Sequence, residues 1–168
     1  MGELSVRERL QPSLLDRLTD DEPQKSRESR DRRVVSVERL RQSVLRDLSW
    51  LFNTGRMSQG QDLDPYPEVA NSVLNYGLRD LSGVVASSIR LDELERSIRQ
   101  TVWDFEPRIL RDTVVIRALM DEGRMNSNSL VFVIEGTLWA QPIPLRMFMK
   151  TEVDLETGQV LVREQADG

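Results

Sequence analysis

The sequence predicts an α+β domain, with two main helices packed on one face of an antiparallel meander sheet and a short tethered N-terminal helix. Three observations predict it. Residues 37–52 and 91–105 repeat apolar side chains every three and four positions, the spacing of one helix face. Beyond residue 109 the apolar period falls to two, in three successive stretches. The stretch DLETGQV then reads as a hairpin turn, with Gly158 supplying a positive φ. Successive strands with one apolar face each need a cover on one side only, which the two helices provide.

The elements follow in chain order. Leu10, Leu14, Leu15 and Leu18 lie at helical spacing in a segment too short to be stable alone. It must dock on something. Residues 20–33, DEPQKSRESRDRR with a preceding Asp20, hold no large apolar residue and read as a charged, flexible linker. The expected organisation is a docking helix in 1–19, the linker in 20–33 and an α+β domain in 34–168. The first long helix carries Val37, Leu40, Val44, Leu45, Leu48, Leu51 and Phe52 on one face. Ser36 suits its N-cap and Gly55 its end. Residues 55–68 are loop by composition, and 69–90 read as irregular, punctuated by Gly77 and Gly83. The second long helix has the stripe Leu91, Leu94, Ile98, Val102 and Phe105. Asp92–Arg96 and Glu95–Arg99 are expected i,i+4 pairs. Pro107 ends this helix near Phe105.

The first strand is expected over Ile109–Met120, starting at Glu106-Pro107-Arg108. The second places Leu130, Phe132, Ile134 and Leu138 on one face, and the third Leu145, Met147, Met149 and Val153. A short last strand, Gln159–Arg163, pairs back.

Composition excludes several function classes. The chain has 168 residues, a formal net charge of −5, no cysteine and no histidine. No disulfide, thiolate nucleophile or thiolate metal site is possible, and the usual neutral-pH base and metal ligand are missing. The negative charge disfavours nucleic acid as a partner. No apolar run is long enough to span a bilayer, and MGELSVRERLQPSLL lacks the apolar core of a secretory signal, so direct membrane insertion is not expected. No phosphate-binding glycine motif is present. Glycoside hydrolysis needs two carboxylates placed in a cleft, and spacing singles out no pair among 28 acidic residues. Neither a catalytic residue nor a cofactor or metal ligand is assigned.

Two features remain. In an extended Glu106-Pro107-Arg108 the two charges project to the same side, with proline fixing φ between them. This corner either seals the helix–strand junction or offers a two-charge fork to a partner. On the outer sheet face Val115, Val131, Val133, Trp139 and Phe148 lie among Arg111, Arg117, Arg146 and Lys150. Either the 69–90 region covers them or they form a protein interface.

The stretches LLDRLTD, VLRDLSWLFNT, YPEVANSVLNYGLRDLSG and FEPRIL occur in this order, and across residues 10–165 the chain resembles the TssE family of type VI secretion baseplate subunits. That family is related to a phage T4 wedge protein once described as lysozyme-like. The family often has proline where Arg79 stands. The resemblance implies a cytoplasmic structural protein without cofactor, in a baseplate docked on a membrane complex. Its partners are other wedge subunits and sheath subunits, whose polymerisation it helps start. It also implies assembly contacts at Glu106, Pro107 and Arg108. Further expected contacts are Leu14, Leu15 and Leu18 in a partner groove, Trp139 and Phe148 on the outer face, and Val160 and Val162 on an edge strand open to β-augmentation. The alternatives are a peptidoglycan hydrolase and a soluble anti-adaptor regulator of similar fold.

Overall fold

A computed structural model describes residues 13–19, 24, 36–85, 88–119, 129–139 and 144–165. Helix α1 spans Leu14–Leu18, α2 Val37–Phe52, α3 Pro67–Ala70 and α4 Leu91–Phe105. Strands β1 (Val115–Leu119), β2 (Ser129–Leu138), β3 (Leu145–Asp154) and β4 (Val160–Glu164) follow. They form one sheet in the order β1-β2-β3-β4, every pair antiparallel. This is the expected α+β meander.

The periodic patterns become the core. Ser36 caps α2, its Oγ accepting from the Arg39 amide at 3.2 Å. Leu40, Val44, Leu48, Leu51 and Phe52 are buried on α2, and Leu94, Ile98 and Val102 on α4. They pack on Ile116, Phe132, Ile134, Leu138, Met147, Met149 and Val153 from the inner sheet face. Gly158 has φ +73°, and Asp154 Oδ1 accepts from the Glu156 and Thr157 amides to close that hairpin.

The irregular region belongs to this inner layer, because Leu78 and Leu81 are core residues. Asn75 is buried and bridges two loops, accepting from the Ser58 amide and donating to the Ala70 carbonyl. Tyr76 meets Phe105 edge-on at 5.2 Å. Gly77 has φ +129°, and a Cβ there would lie 2.2 Å from the Thr54 carbonyl oxygen. That close approach lets the Leu78 amide donate to Thr54 O at 2.8 Å and the Arg56 amide to Leu78 O at 3.1 Å. The region therefore does not cover the outer sheet face, where every residue keeps some exposure.

Three local expectations change. The first strand begins at Val115 rather than at Ile109, since a 3-10 turn occupies Arg111–Thr113. Thr113 holds that turn, donating to Leu110 O and accepting from the Thr137 amide. Ile109 makes only an isolated bridge to Leu138. Met120 lies outside the described residues, as do Leu10 and all of the 20–33 segment except Gln24. Second, Asp92–Arg96 pairs at 2.8 Å as expected, but Glu95 turns away from Arg99 and accepts the Ala118 amide at 2.7 Å. Third, both sheet edges are partly occupied: Glu95 takes one amide of β1, and Asn53 takes both outward groups of Val160 on β4, at 2.7 and 2.9 Å.

Candidate functional site

The Glu-Pro-Arg corner is built by the end of α4. Glu106 is its C-cap, with its amide on Val102 O at 2.9 Å, and the Ile109 amide returns to Glu106 O at 3.2 Å. The chain turns here instead of extending. Glu106 and Arg108 do share one side, but that side faces α2. Glu106 is only 3% exposed. Its Oε1 accepts from Arg108 Nε at 2.6 Å and its Oε2 from Arg108 Nη2 at 2.5 Å. Arg108 Nη2 also donates to Asp47 Oδ2 at 2.6 Å, and Nη1 to Ser43 Oγ at 3.2 Å. The expected exposed fork is thus an internal ion cluster. Burial opposes the charge on Arg108, but its bonds to Glu106 and the charges of Glu106 and Asp47 outweigh that and raise its pKa. Four of the five guanidinium N–H groups are engaged, so one on Nη1 remains for a partner.

The cluster continues to the N-terminal helix. Asp47 Oδ1 accepts from Arg46 Nε and Nη2 at 2.9 and 2.8 Å, and Arg46 Nη1 donates to Asp16 Oδ1 at 2.6 Å. Arg46 also lies 5.1 Å from the Trp50 ring centre. Burial pushes the Asp16 carboxyl up, but hydrogen bonds from Arg46 and Ser13 and the Arg46 charge bring it below its usual range. Burial and then the nearby Asp47 and Glu106 charges raise the pKa of Tyr76. So α1 meets α2 through its polar side. Leu14 and Leu18, 70% and 74% exposed, point to solvent, with Leu15 less so at 42%.

The other expected contacts are scattered. Trp139 adjoins the corner through its backbone, its amide donating to Arg108 O at 2.8 Å, and its side chain is half exposed. Phe148 lies on the outer face opposite Glu135, beneath the Arg146 guanidinium. Val160 is in the core and Val162 packs against it, so neither side chain is offered outward. What β4 offers is backbone. Phe148–Gln165 and Asp154–Gln159 are bonded pairs, so odd positions of β4 face β3. Val160, Val162 and Glu164 turn their backbone groups to the outer edge, where Asn53 occupies those of Val160 and Arg41 of α2 holds the Glu164 side chain at 3.0 Å, leaving the backbone groups of Val162 and Glu164.

Ser43, Arg46, Asp47 and Asn53 are not singled out by sequence, and Glu95 only as a partner for Arg99. One signal existed: Ser43 and Asp47 are polar, one turn apart, and border the apolar stripe through Val44 and Leu48.

The family model for the baseplate wedge protein gp25 matches residues 38–143. The chain belongs to that family. The matched stretch holds α2, the Asn75–Leu78 motif, α4, the corner, β1 and β2, whereas α1, β3 and β4 lie outside it. No curated protein and no solved structure matches the chain. Among the described residues no three acidic side chains gather as a metal site, and no helix is long and apolar enough to cross a membrane.

Proposed function

We propose that this chain is a structural, non-enzymatic subunit of a type VI contractile baseplate, joining wedge subunits to the sheath and helping start sheath polymerisation. The observation that carries the reading is a baseplate wedge family match over residues 38–143, beside which the β4 strand of the same sheet keeps the outward backbone groups of Val162 and Glu164 without a partner among the described residues. Such an edge accepts an added strand from a neighbouring subunit. The Glu106–Arg108 corner fixes the shape of the domain and leaves one N–H for a wedge contact, while Leu14, Leu15 and Leu18 supply an apolar ridge for a groove. Assembly places the protein in the cytoplasm, against a baseplate docked on a membrane complex.

A lysozyme-like activity finds little support in the clefts. The cleft between the ends of α2 and the β3–β4 hairpin holds one carboxylate, Asp80, whose two oxygens are bonded to Ser82. The cleft beside Arg56 also holds one, Glu93. A glycosidase needs two.

Proline at residue 162 tests the reading. Leu161 faces β3, so proline there would break the sheet, but the Val162 amide faces the free edge. Val162→Pro should fold, bind wedge subunits and fail to support sheaths. Sheaths of normal number and length in cells carrying it would overturn the edge contact. Measurable peptidoglycan cleavage by the purified chain would overturn the non-enzymatic part.

A further inference from the structure

The register of the sheet lines up the outer face in rows. In one, Arg117, Val133, Lys150 and Arg163 stand side by side across all four strands. In the next, Leu119, Val131, Glu152 and Leu161 do the same. Arg146 and Phe148 lie beyond the first row on β3. The face therefore holds four cations, Arg117, Arg146, Lys150 and Arg163, against three acids, Glu135, Glu152 and Asp154, and Asp154 is engaged by the hairpin amides of Glu156 and Thr157, on a chain whose net charge is −5.

Lys150 and Arg163 are direct cross-strand partners. Directly opposed side chains have Cβ atoms about 4.5–5.5 Å apart, and like charges there are destabilising. Glu152 lies one row along, yet among the described residues neither Lys150, Arg163 nor Arg146 forms an ion pair. Of the four cations on this face, among the described residues only Arg117 has an acid within 4 Å, Glu135 at 3.7 Å. The sheet thus keeps a like-charge pair between β3 and its edge strand β4 with no ion pair to either member among the described residues, beside Val131, Val133 and Leu161.

We infer that this face is a docking surface for an acidic amphipathic segment of an assembly partner, one that sets carboxylates over Lys150 and Arg163 and apolar side chains over the valines. Charge complementarity selects this occupant. A second copy docked symmetrically would bring together two faces that each carry more cations than acids. A nucleic acid would meet valines and leucines where it needs cations, and would be repelled by the chain as a whole. The inference rests on the assembly reading for the existence of a partner and goes beyond it in naming the partner's chemistry.

The test uses the full chain and two short fluorescein-labelled peptides, in which glutamate or lysine alternates with the same valines and leucines. Fluorescence anisotropy should show the glutamate peptide binding, more weakly as salt rises, and the lysine peptide not binding. Lys150→Glu with Arg163→Glu should weaken the glutamate peptide by about tenfold or more, equivalent to 1.4 kcal/mol, and should admit the lysine peptide. Lys150→Glu alone creates an opposed Glu–Arg pair, so it should melt at or above the parent chain while binding the glutamate peptide less tightly. Failure of the glutamate peptide to outcompete the lysine peptide, or indifference of its binding to the reversal, would overturn the inference. So would equal or tighter binding of single-stranded oligonucleotide or of phosphatidylserine vesicles, or self-association in sedimentation that the reversal abolishes. None of these measurements involves the sheath, which Val162→Pro reads separately.

Discussion

At the Glu106–Arg108 corner, a cation and its acids are folded away together, whereas on the outer face of the sheet Arg146, Lys150 and Arg163 form no ion pair among the described residues. The two regions contain the same residue types. They differ in what surrounds each charge. Arg108 spends four N–H groups on Glu106, Asp47 and Ser43, with Glu106 almost fully buried. Lys150 and Arg163 oppose each other in the open. Charges already neutralised inside a fold fix its geometry, because burying them is costly and their loss leaves a partner stranded. Charges held against like neighbours at the surface do nothing for the fold. They point outward, to whatever neutralises them. In this chain the sequence motif that looks most like a docking fork is mainly internal, and the more accessible docking chemistry lies on the sheet.

The largest effect should come from opening the closed region. Arg108→Met leaves Glu106 buried without its cation and frees Asp47. Breaking a buried pair in this way costs about 3–5 kcal/mol. At this chain length each kcal/mol is worth roughly 2–4 °C in Tm. Thermal denaturation followed by circular dichroism should therefore show a fall well above 5 °C on the same scale, roughly. Adding Glu106→Leu to Arg108→Met should recover part of it, since no charge is then stranded. A single variant that melts within a degree or so of the parent would erase the contrast between the two regions and return the corner to an exposed fork.

Much of this architecture was legible in the sequence, and the corner shows why part of it was not. Periodicity located α2, α4, β2 and β3 because each buries one face against a single layer. It misplaced the start of β1 because Leu110 and Val114 alternate in phase with Ile116, yet Thr113 bends the chain between them. The burial of Glu106 was out of reach because its neutralising network depends on Ser43 and Asp47, more than sixty residues before Arg108 (separations of 65 and 61). Local spacing cannot report a contact of that range. The same limit hid Asn53 and Glu95, whose side chains cap sheet edges formed by distant strands. The docking of α1 was read from its leucines, but the attachment is polar, through Asp16 and Arg46.

A smaller effect should come from that attachment, where the closed network reaches its most exposed end. Arg46 is 33% exposed and Asp16 14%, so Asp16→Asn should lower stability by about 1 kcal/mol or less. The folded carboxyl of Asp16 has a pKa below its usual value. Its contribution is therefore fully present above the ordinary carboxylate range and is lost as pH falls through the lowered folded value. The Tm difference between parent and Asp16→Asn should be constant near neutral pH, begin to shrink below about 4, and vanish below the lowered folded value. A difference that persists in acid would assign the attachment to packing of α1 and not to the ion pair.

The smallest effect carries the most informative sign. Lys150→Gln removes one member of the opposed pair with Arg163 on the open face. If the face gave its charges internal partners, this loss would destabilise the chain slightly, as surface ion pairs do. Here the pair is repulsive, so the same substitution should raise stability by about 0.2–1 kcal/mol, the range for cross-strand pairs. That is a gain of roughly 1–4 °C on the scale given above. The origin can be checked in the same experiment. At about 1 M salt the screening length falls to about 3 Å, shorter than the distance between opposed side chains, so the gain should shrink towards zero. A gain indifferent to salt would mean that glutamine merely suits the strand better. A loss would mean that Lys150 has a partner in the fold, and that the outer face is as closed as the corner.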